Sequence, residues 1–417
     1  MSILGMFVAL LRLTRNVSKT SVVGVVVLVI LLLFPMLKVA IPSWLNLSMR
    51  ETYEFKQYPV EMMGSKYRTY LVTKEPAMIA GYYAAQSKIN DALNKTRVLP
   101  AGITFDTATV KKSPRRIIIV LGESDNKKHH GIYGYVSPTD HFMMSMLQNK
   151  NKIAVFDAVS PAPVTREAVI RMFSLATARQ IEPFTNHVGL LEMARNAGYQ
   201  TLWLSKQGGI GLHDTLVKVI TLQADKVSFP AGQFDDTLLE PFSDGLKEGT
   251  KQLFVLHLRG SHLGYKYGHN QADFERAANS LPKYRHYDAT IANTDKFLES
   301  LASIVGEDKN TLFIYVPDHG EIVNKGHGLP RLDVQQYEVP FVIWSGNEGL
   351  VQQAKFFVDK YSVRYKNEKI FNTVSLPLVL AEMMGYQISD ACRDQALEDS
   401  QYIFSVDGNA YPIEQLE

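Results

Sequence analysis

Histidines and carboxylates follow three short apolar runs of the chain, and each of these side chains can bind a metal ion. They are Glu123 after residues 117–121, His257 and His262 after residues 253–256, and Asp318, His319 and His327 after residues 312–316. Imidazole and carboxylate together are typical ligands of Zn²⁺ or Mn²⁺, and a catalytic site leaves one position open for the reacting group. A lone Asp-His pair is usually structural, but six such residues behind three runs favour a catalytic metal site.

The apolar runs themselves are rich in β-branched and large residues and predict buried strands. They are Ile117–Leu121, Thr201–Leu204, Leu253–Leu256, Leu312–Val316 and Phe341–Trp344. Amphipathic helices separate them, such as the stripe from Ile291 to Val305, which steps by three and four and can end at Gly306. This alternation predicts an α/β domain with a mostly parallel sheet flanked by helices. Ligands of such sheets bind beyond the carboxyl ends of the strands, where the six residues are expected.

The N-terminal segment predicts a membrane anchor. Val22–Leu37 carries no charge, and apolar residues continue beyond Lys38. A helix needs about 20 mostly apolar residues to cross a bilayer, so a tilted span fits. Three basic residues precede the segment, which places the N-terminus in the cytoplasm and the rest of the chain outside it. A cleaved signal peptide is the alternative, but no small-x-small cleavage site follows the apolar run.

These features divide the chain into three parts. We expect residues 1–49 to form a cytoplasmic lead and a single transmembrane anchor, 50–112 a partly helical membrane-proximal connector or a mere spacer, and 113–417 a catalytic domain. The length of 417 residues suits one large domain with a smaller addition. The net charge of +2 gives no support for a nucleic-acid partner. Because Cys392 is the one cysteine, neither an intrachain disulfide nor a Cys-rich zinc site can form.

Several strings of the sequence resemble, in the same order, the phosphoethanolamine transferases, a branch of the alkaline phosphatase and sulfatase superfamily. They are IIIVLGESDNKKHHGIYGY, VSPAPVTREAVIRMFSLAT, VLHLRGSH, YRHYDATIANTDKFLESL, and YVPDHGE followed by GHGLP and YEVPFVIW. The resemblance covers roughly residues 113–390. It implies an alkaline phosphatase/sulfatase-like fold, preceded here by the transmembrane helix.

The resemblance also implies a metal centre and a nucleophile. Glu123, Thr165, Asp318 and His319 would hold one Zn²⁺, with Mn²⁺ as the other candidate, and Thr165 would attack the substrate. A threonine hydroxyl needs such activation, because it is a weak nucleophile at neutral pH. Periodicity alone predicts instead that Thr165 caps a helix, with Glu167 in the first turn. Both roles are compatible, since the helix dipole stabilises negative charge at its N-terminus.

Other candidate residues would lie on the substrate side. His262 and His327 would bind a second metal ion or transfer protons, and His257 is a weaker candidate because it could still belong to its strand. The string SKQGGIGLHD lacks the Asn and Lys expected at an ethanolamine-phosphate pocket. Lys206, His213 or the neighbouring Gln207 could take their place.

The implied reaction is transfer of phosphoethanolamine from phosphatidylethanolamine to an envelope glycan or lipid A. It would proceed through a phosphothreonine intermediate on the periplasmic side of a bacterial inner membrane. Phosphoglycerol transfer, as in lipoteichoic acid synthases, and plain phosphodiester or phosphomonoester hydrolysis remain alternatives, as does a non-catalytic scaffold. The chain departs from many relatives at Arg171, where they have a cysteine, and at Leu263-Gly264, where they have Gly-Pro. It also lacks the C/S-x-P-x-R string of formylglycine sulfatases.

Overall fold

A computed structural model of the chain describes residues 91, 94–106, 113–207, 215–249 and 251–417. The predicted lead and transmembrane anchor lie outside the described residues, as does the predicted connector except for residues 91 and 94–106. None of the described helices combines the length and apolar character that a membrane crossing requires. The described residues all belong to one compact unit, Gln86–Glu417.

Short strands make up the framework of this unit. They are β1 Ile103–Phe105, β2 Arg116–Gly122, β3 Ile153–Val159, β4 Gln200–Ser205, β5 Lys226–Ser228, β6 Gln252–His257, β7 Thr311–Pro317, β8 Glu338–Trp344, β9 Val363–Tyr365, β10 Glu368–Asn372, β11 Tyr386–Ile388, β12 Tyr402–Phe404 and β13 Ala410–Pro412. Nine of these described strands form one sheet in the order β5-β4-β6-β2-β7-β8-β3-β10-β9.

The large sheet confirms the α/β prediction but is mixed. The first five strands in this order run parallel, whereas β8 runs antiparallel to both β7 and β3. A parallel return from β7 would need a crossover, usually a helix. Residues 318–337 instead form a loop at the end of β7 and contain only one short 3-10 turn, so β8 comes back antiparallel. All five predicted strands are present, and four further strands of the sheet were not predicted: β3, β5, β9 and β10.

Helices cover the sheet. They are α1 His141–Met146, α2 Thr165–Phe173, α3 Pro183–Asn186, α4 Leu190–Asn196, α5 Thr215–Thr221, α6 Leu239–Leu246, α7 Gln271–Arg276, α8 Arg285–Val305, α9 Glu348–Lys360, α10 Leu376–Met384 and α11 Asp390–Asp399. Short 3-10 turns occur at Lys127–His129, Gly131–Tyr133, Asp235–Leu238, Tyr265–Tyr267, Val334–Gln336, Thr373–Ser375 and Ile413–Gln415.

The long helix α8 shows how the predicted pattern becomes packing. Its stripe residues Ile291, Leu298 and Leu301 are fully buried. Leu298 and Leu301 belong to the hydrophobic cluster that includes Ile118 of β2 and other residues of the sheet. The helix ends, as predicted, at Gly306, which has φ +65 and suits the left-handed region that glycine tolerates.

Part of the predicted connector packs with the unit that contains the large sheet. β1 pairs antiparallel with β11, and Val98 forms an isolated bridge with His187. The side chain of Arg97 also forms an ion pair with Glu192 over 3.0 Å. The described residues 94–106 are therefore built into the same unit as the large sheet.

Candidate active site

The carboxyl ends of three adjacent parallel strands form the base of the site. β2 lies between β6 and β7, and Leu121 pairs with His257 on one side and with Val316 on the other. This register brings Glu123, which follows β2, next to Asp318, which follows β7. Both carboxylates are buried, at 1% and 0% exposure. The sequence prediction that these strand ends converge is confirmed.

Thr165 faces this base from the first turn of α2. Its hydroxyl Oγ1 lies 3.0 Å from Glu123 Oε2 and 3.2 Å from His319 Nε2. The residue before it, Val164, occupies the cap position, and no side chain caps the helix. The prediction from periodicity that Thr165 is the cap is therefore wrong. Its hydroxyl is directed at the site, where the positive end of a helix dipole favours developing negative charge.

The four predicted ligands have the spacing of a zinc site. His319 Nε2 lies 3.3 Å from Glu123 Oε1 and 3.5 Å from Asp318 Oδ2, in addition to the 3.0 and 3.2 Å separations of Thr165 Oγ1. Ligand atoms placed tetrahedrally around Zn²⁺ at its usual bond lengths are about 3.3 Å apart. The residues therefore fit a zinc ion held between Glu123, Thr165, Asp318 and His319.

The polar atoms of the site are also arranged as a cation would require. Asp318 Oδ2 is buried and accepts no hydrogen bond from any described residue. His319 Nδ1 lies 2.9 Å from the Gly320 carbonyl, to which it donates, leaving Nε2 free as a ligand. Burial and the neighbouring Glu123 carboxylate raise the pKa of Asp318 to about 8. The Glu123 carboxylate thus opposes ionisation of the buried Asp318, and a divalent cation bound between them would neutralise both charges.

His327 and His262 extend the site towards solvent. His327 Nδ1 lies 2.7 Å from Glu321 Oε2, and the His327 ring centre is 4.2 Å from that of His319. His262 is exposed, with its ring centre 6.0 Å from that of His327. Burial and the charge of His319 lower the pKa of His327. The structure thus places both predicted histidines on the open side of the site.

Two overlapping groups of possible metal ligands share Glu123. One contains His319 and His327, the other His257 and Asp318, and the ligand atoms of each group lie within 4.8 Å of one another. His257 is the last residue of β6 and is buried; its Nε2 has no hydrogen-bond partner among the described residues. Burial lowers its pKa to about 4, so the ring is neutral and able to bind a cation.

Of the three predicted headgroup residues, Lys206 is not brought to the metal ligands. Lys206 Nζ donates to the carbonyls of Pro230 and Gly232, at 3.0 and 2.9 Å. His213 lies outside the described residues. Gln207, the third of these predicted residues, contacts Glu123 Oε2 through its side-chain nitrogen at 2.5 Å. The sequence signal for this contact was the position of Gln207 just after β4, at the edge of the sheet where the metal ligands also lie.

Sequence reasoning also missed the polar network beneath Glu123. Asp125 and Asp140 flank the buried imidazole of His130; Nε2 lies 2.8 Å from Asp125 Oδ1, and Nδ1 lies 3.6 Å from Asp140 Oδ2. The Tyr315 hydroxyl of β7 donates to Asp125. Ser124 lies between the predicted ligand Glu123 and this network, and its φ is +55. This backbone conformation is unusual for a residue other than glycine, and the surrounding hydrogen bonds must stabilise it. The resembling string HHGIYGY was the only signal for it.

Comparison with known proteins places the chain in a family. The sulfatase family model matches residues 115–375. The chain belongs to the sulfatase family. The resemblance to phosphoethanolamine transferases is confirmed as well, since phosphoethanolamine transferase EptC of Escherichia coli K12 is 25% identical over 336 residues, 72% of this chain and 58% of that protein. EptA of Helicobacter pylori is 25% identical over 298 residues, 65% of this chain and 54% of that protein. This sulfatase-family chain thus spans little more than half the length of these relatives.

Solved structures share the sulfatase-family fold. The zinc complex of the C-terminal periplasmic domain of E. coli EptC superposes with a TM-score of 0.63 and 21% identity, covering 77% of this chain and 98% of that domain. The integral membrane lipooligosaccharide phosphoethanolamine transferase A of Neisseria meningitidis gives a TM-score of 0.56 and 17% identity, covering 82% and 68%. These likenesses establish the alkaline phosphatase/sulfatase-like fold.

Proposed function

We propose that the protein is a zinc-dependent phosphoethanolamine transferase of the bacterial inner membrane, with its catalytic domain in the periplasm. Phosphatidylethanolamine would be the donor, and an envelope glycan or lipid A the acceptor. The observation that carries the proposal is the position of Thr165 Oγ1, 3.0 Å from Glu123 and 3.2 Å from His319 at the start of a helix. The names of the similar proteins, phosphoethanolamine transferases EptC and EptA, supply the transferred group.

The first step is attack of Thr165 Oγ1 on the phosphorus of the donor. A bond forms between this oxygen and phosphorus, and the bond from phosphorus to the diacylglycerol oxygen breaks. A zinc ion held by Glu123, Thr165, Asp318 and His319 would lower the pKa of the hydroxyl and stabilise charge on the phosphoryl oxygens. The N-terminus of α2 adds positive potential at the same point.

The departing diacylglycerol oxygen needs a proton, which the outer histidines can deliver. His327 is oriented by Glu321, and the exposed His262 stands next to it. This imidazole pair on the open side can therefore take up the proton that Thr165 Oγ1 loses and pass it to the leaving oxygen, and later accept the proton of the acceptor hydroxyl and return it to Thr165. The intermediate is Thr165 esterified with phosphoethanolamine.

In the second step the acceptor oxygen attacks the phosphorus of this ester. The bond to Thr165 Oγ1 breaks, the threonine takes back a proton, and phosphoethanolamine is now on the acceptor. Both half-reactions use one site, because the diacylglycerol oxygen leaves, and the acceptor oxygen later enters, on the same exposed side. The scheme predicts ping-pong kinetics.

The mass of the Thr165 peptide tests the proposal. Full-length protein is incubated without acceptor in vesicles containing phosphatidylethanolamine or phosphatidylglycerol, and then digested. We expect a phosphoethanolamine adduct on Thr165 with the first lipid only, and none in Thr165→Ala. A phosphoglycerol adduct would support phosphoglycerol transfer, released headgroup without any adduct would support hydrolysis, and neither product would support a scaffold.

A further inference from the structure

Two loops frame the open side of the site. The first loop, residues 228–233, begins at the last residue of β5. The second, residues 259–268, follows β6 and includes His262. The loops are joined at Tyr267, whose carbonyl accepts hydrogen bonds from Gln233 at 3.3 Å and from Arg259 at 2.6 Å. Lys206 fastens the first loop to the end of β4 through two backbone carbonyls. We call these two loops, with Lys206, the rim.

The rim exposes large apolar side chains that the fold does not bury. Phe229 is 46% exposed, Leu263 54% and Tyr267 55%. Leu263 directly follows His262, so this apolar surface begins at the site itself. Scattered exposed apolar residues are ordinary, but a group on two joined loops beside a reactive centre indicates an interaction surface.

The same rim carries three basic side chains. Neither loop contains Asp or Glu. Lys206, Arg259 and Lys266 form no ion pair within 4.0 Å in the part of the chain that the structure describes, and Lys266 lies over the Tyr267 ring at 4.8 Å. Asp235, just beyond the first loop, is buried and accepts hydrogen bonds from the backbone N–H groups of Arg259 and Gly260, whereas the next residue, Asp236, is exposed.

We propose that the rim docks on the surface of an anionic bilayer, an inference that rests on the proposed function. Lys266 would contact lipid phosphates, with the charges of Lys206 and Arg259 adding to the attraction, while Leu263, Phe229 and Tyr267 enter the boundary between headgroups and acyl chains. Basic residues interleaved with aromatic and aliphatic ones are the composition of interfacial membrane-binding surfaces. Docking would present the open side of the site to lipid headgroups, so that the donor reaches Thr165 without leaving the bilayer.

Comparing a bilayer donor with a soluble donor tests the docking. Leu263→Ser and Lys266→Gln are combined in the full-length protein. Turnover is measured on phosphatidylethanolamine in vesicles with phosphatidylglycerol, and on a short-chain phosphatidylethanolamine below its micelle concentration. We expect kcat/KM on vesicles to fall about tenfold or more, since each cation lost near an anionic surface weakens association by roughly fivefold. On the soluble donor it should stay within about twofold, because the ligand geometry that catalysis uses is unchanged.

The matched control is Phe356→Ser combined with Lys309→Gln. Phe356 is 64% exposed on α9, and Lys309 is exposed just before β7, at the opposite end of that strand from the site. The control should leave turnover of both donors unchanged. Equal losses on both donors, or no loss on vesicles, would overturn the docking. If the unmodified protein turns over neither donor, the proposed function fails, and the next measurement alone decides the docking.

Spin-label depth measures the docking without turnover. Leu263→Cys is labelled in a Cys392→Ser background of the full-length protein in the same vesicles, with Phe356→Cys as control. We expect the label at position 263 to be accessible to oxygen and shielded from a water-soluble nickel complex. High salt or zwitterionic vesicles should reverse this. Equal accessibility of the two labels to oxygen and to the nickel complex would contradict docking. Shielding of position 263 from both reagents would also contradict it, because that pattern is expected when another part of a protein covers the label.

Discussion

At the scale of single residues, the site depends on side chains that orient the ligands as well as on the ligands. Glu321 is fully buried; the Tyr265 hydroxyl donates to one of its oxygens at 2.5 Å, and His327 Nδ1 lies 2.7 Å from the other. Asp318 and His319 were predictable because strand, turn and residue type agree. The role of Glu321 was not, since only the folded loop shows that its carboxylate points back at His327.

Replacing Glu321 with Ala should lower activity by about 10- to 100-fold, because loss of a partner that orients a site histidine typically costs this much. Activity is measured together with zinc content, which should fall little if His327 acts mainly on the substrate side. Tyr265→Phe serves as control and should lose less, since it keeps the carboxylate beside His327. Unchanged activity in Glu321→Ala would mean that His327 needs no orientation.

His130 gives the protein a stability that depends on pH. Burial opposes its protonation, but the carboxylates of Asp125 and Asp140 outweigh this and raise the pKa of His130 to about 10. The unfolded value is near 6.5, so the native state holds a proton that the unfolded chain releases. The stabilisation is complete below about pH 6.5 and is lost as pH rises through about 10.

We therefore expect the difference in unfolding free energy between the wild type and His130→Gln to narrow between pH 7 and pH 10, by about 1 kcal/mol per pH unit. Urea denaturation of zinc-saturated protein measures it, because bound zinc keeps the ligand residues from titrating over the same range. A difference that stays constant over this range would show that His130 is neutral in the folded protein.

At the scale of elements, α2 has to hold Thr165 at a fixed point, and a buried ion pair braces it. The side chains of Arg171 and Glu167 are 3% and 4% exposed and 2.8 Å apart. Arg171 also donates to the Thr177 carbonyl and lies over the Phe404 ring at 4.0 Å. The sequence showed only that Arg171 stands where many relatives have a cysteine; its buried partner could not be read from composition.

Arg171→Met should destabilise the protein by about 3–5 kcal/mol or less, because the buried Glu167 carboxylate loses its partner at 2.8 Å and keeps the more distant Arg166 at 3.6 Å. The double variant Arg171→Met/Glu167→Gln should recover most of this loss, since replacing both charges is often neutral. Thermal unfolding measures both. Arg393→Met is the control and should cost less than about 1 kcal/mol, because its partner Asp390 is exposed. A double variant as unstable as the single one would contradict the pairing argument.

A backbone approach between two elements also fixes the site. Gly260, at φ +52, lies so close to β2 that a Cβ atom would come within 2.9 Å of the backbone N and O of Glu123. Gly260→Ala should displace Glu123 and reduce zinc affinity, measured by competition with a chromogenic chelator. Gly264→Ala is the matched control: it shares a positive φ, but its nearest neighbour is the Tyr267 ring at 3.6 Å. Equal affinities in the two variants would show that strain, rather than proximity to Glu123, matters.

At the scale of the whole molecule, the strand–helix alternation was enough to predict the α/β class and the edge where the site lies. It could not give the order of the strands or the antiparallel direction of β8, because these depend on how residues 318–337 return from the site. β3 was missed because Asp157 interrupts its apolar run, and the chain compensates that charge with Lys127 at 2.5 Å.

Zinc removal should lower the stability of the whole unit. A ligand that binds only the folded state adds about 4 kcal/mol at a free concentration one thousand times its Kd. Chelation should therefore lower the melting temperature by several degrees, and re-addition of zinc should restore it. Asp318→Asn, which removes a ligand charge, should show little response to chelator. An identical chelator response in this variant would place the ion elsewhere.

The register of β2 between β6 and β7 has a consequence for the order of folding. Glu123 and Asp318 meet only after strands separated by well over one hundred residues have paired in parallel, and such non-local pairings form slowly. No partial chain ending before β7 can assemble the four ligands. Metal capture would thus be a late event that reports pairing of the central strands, and zinc uptake after refolding should follow, never precede, the burial of Trp344, which stacks on Phe313 of β7.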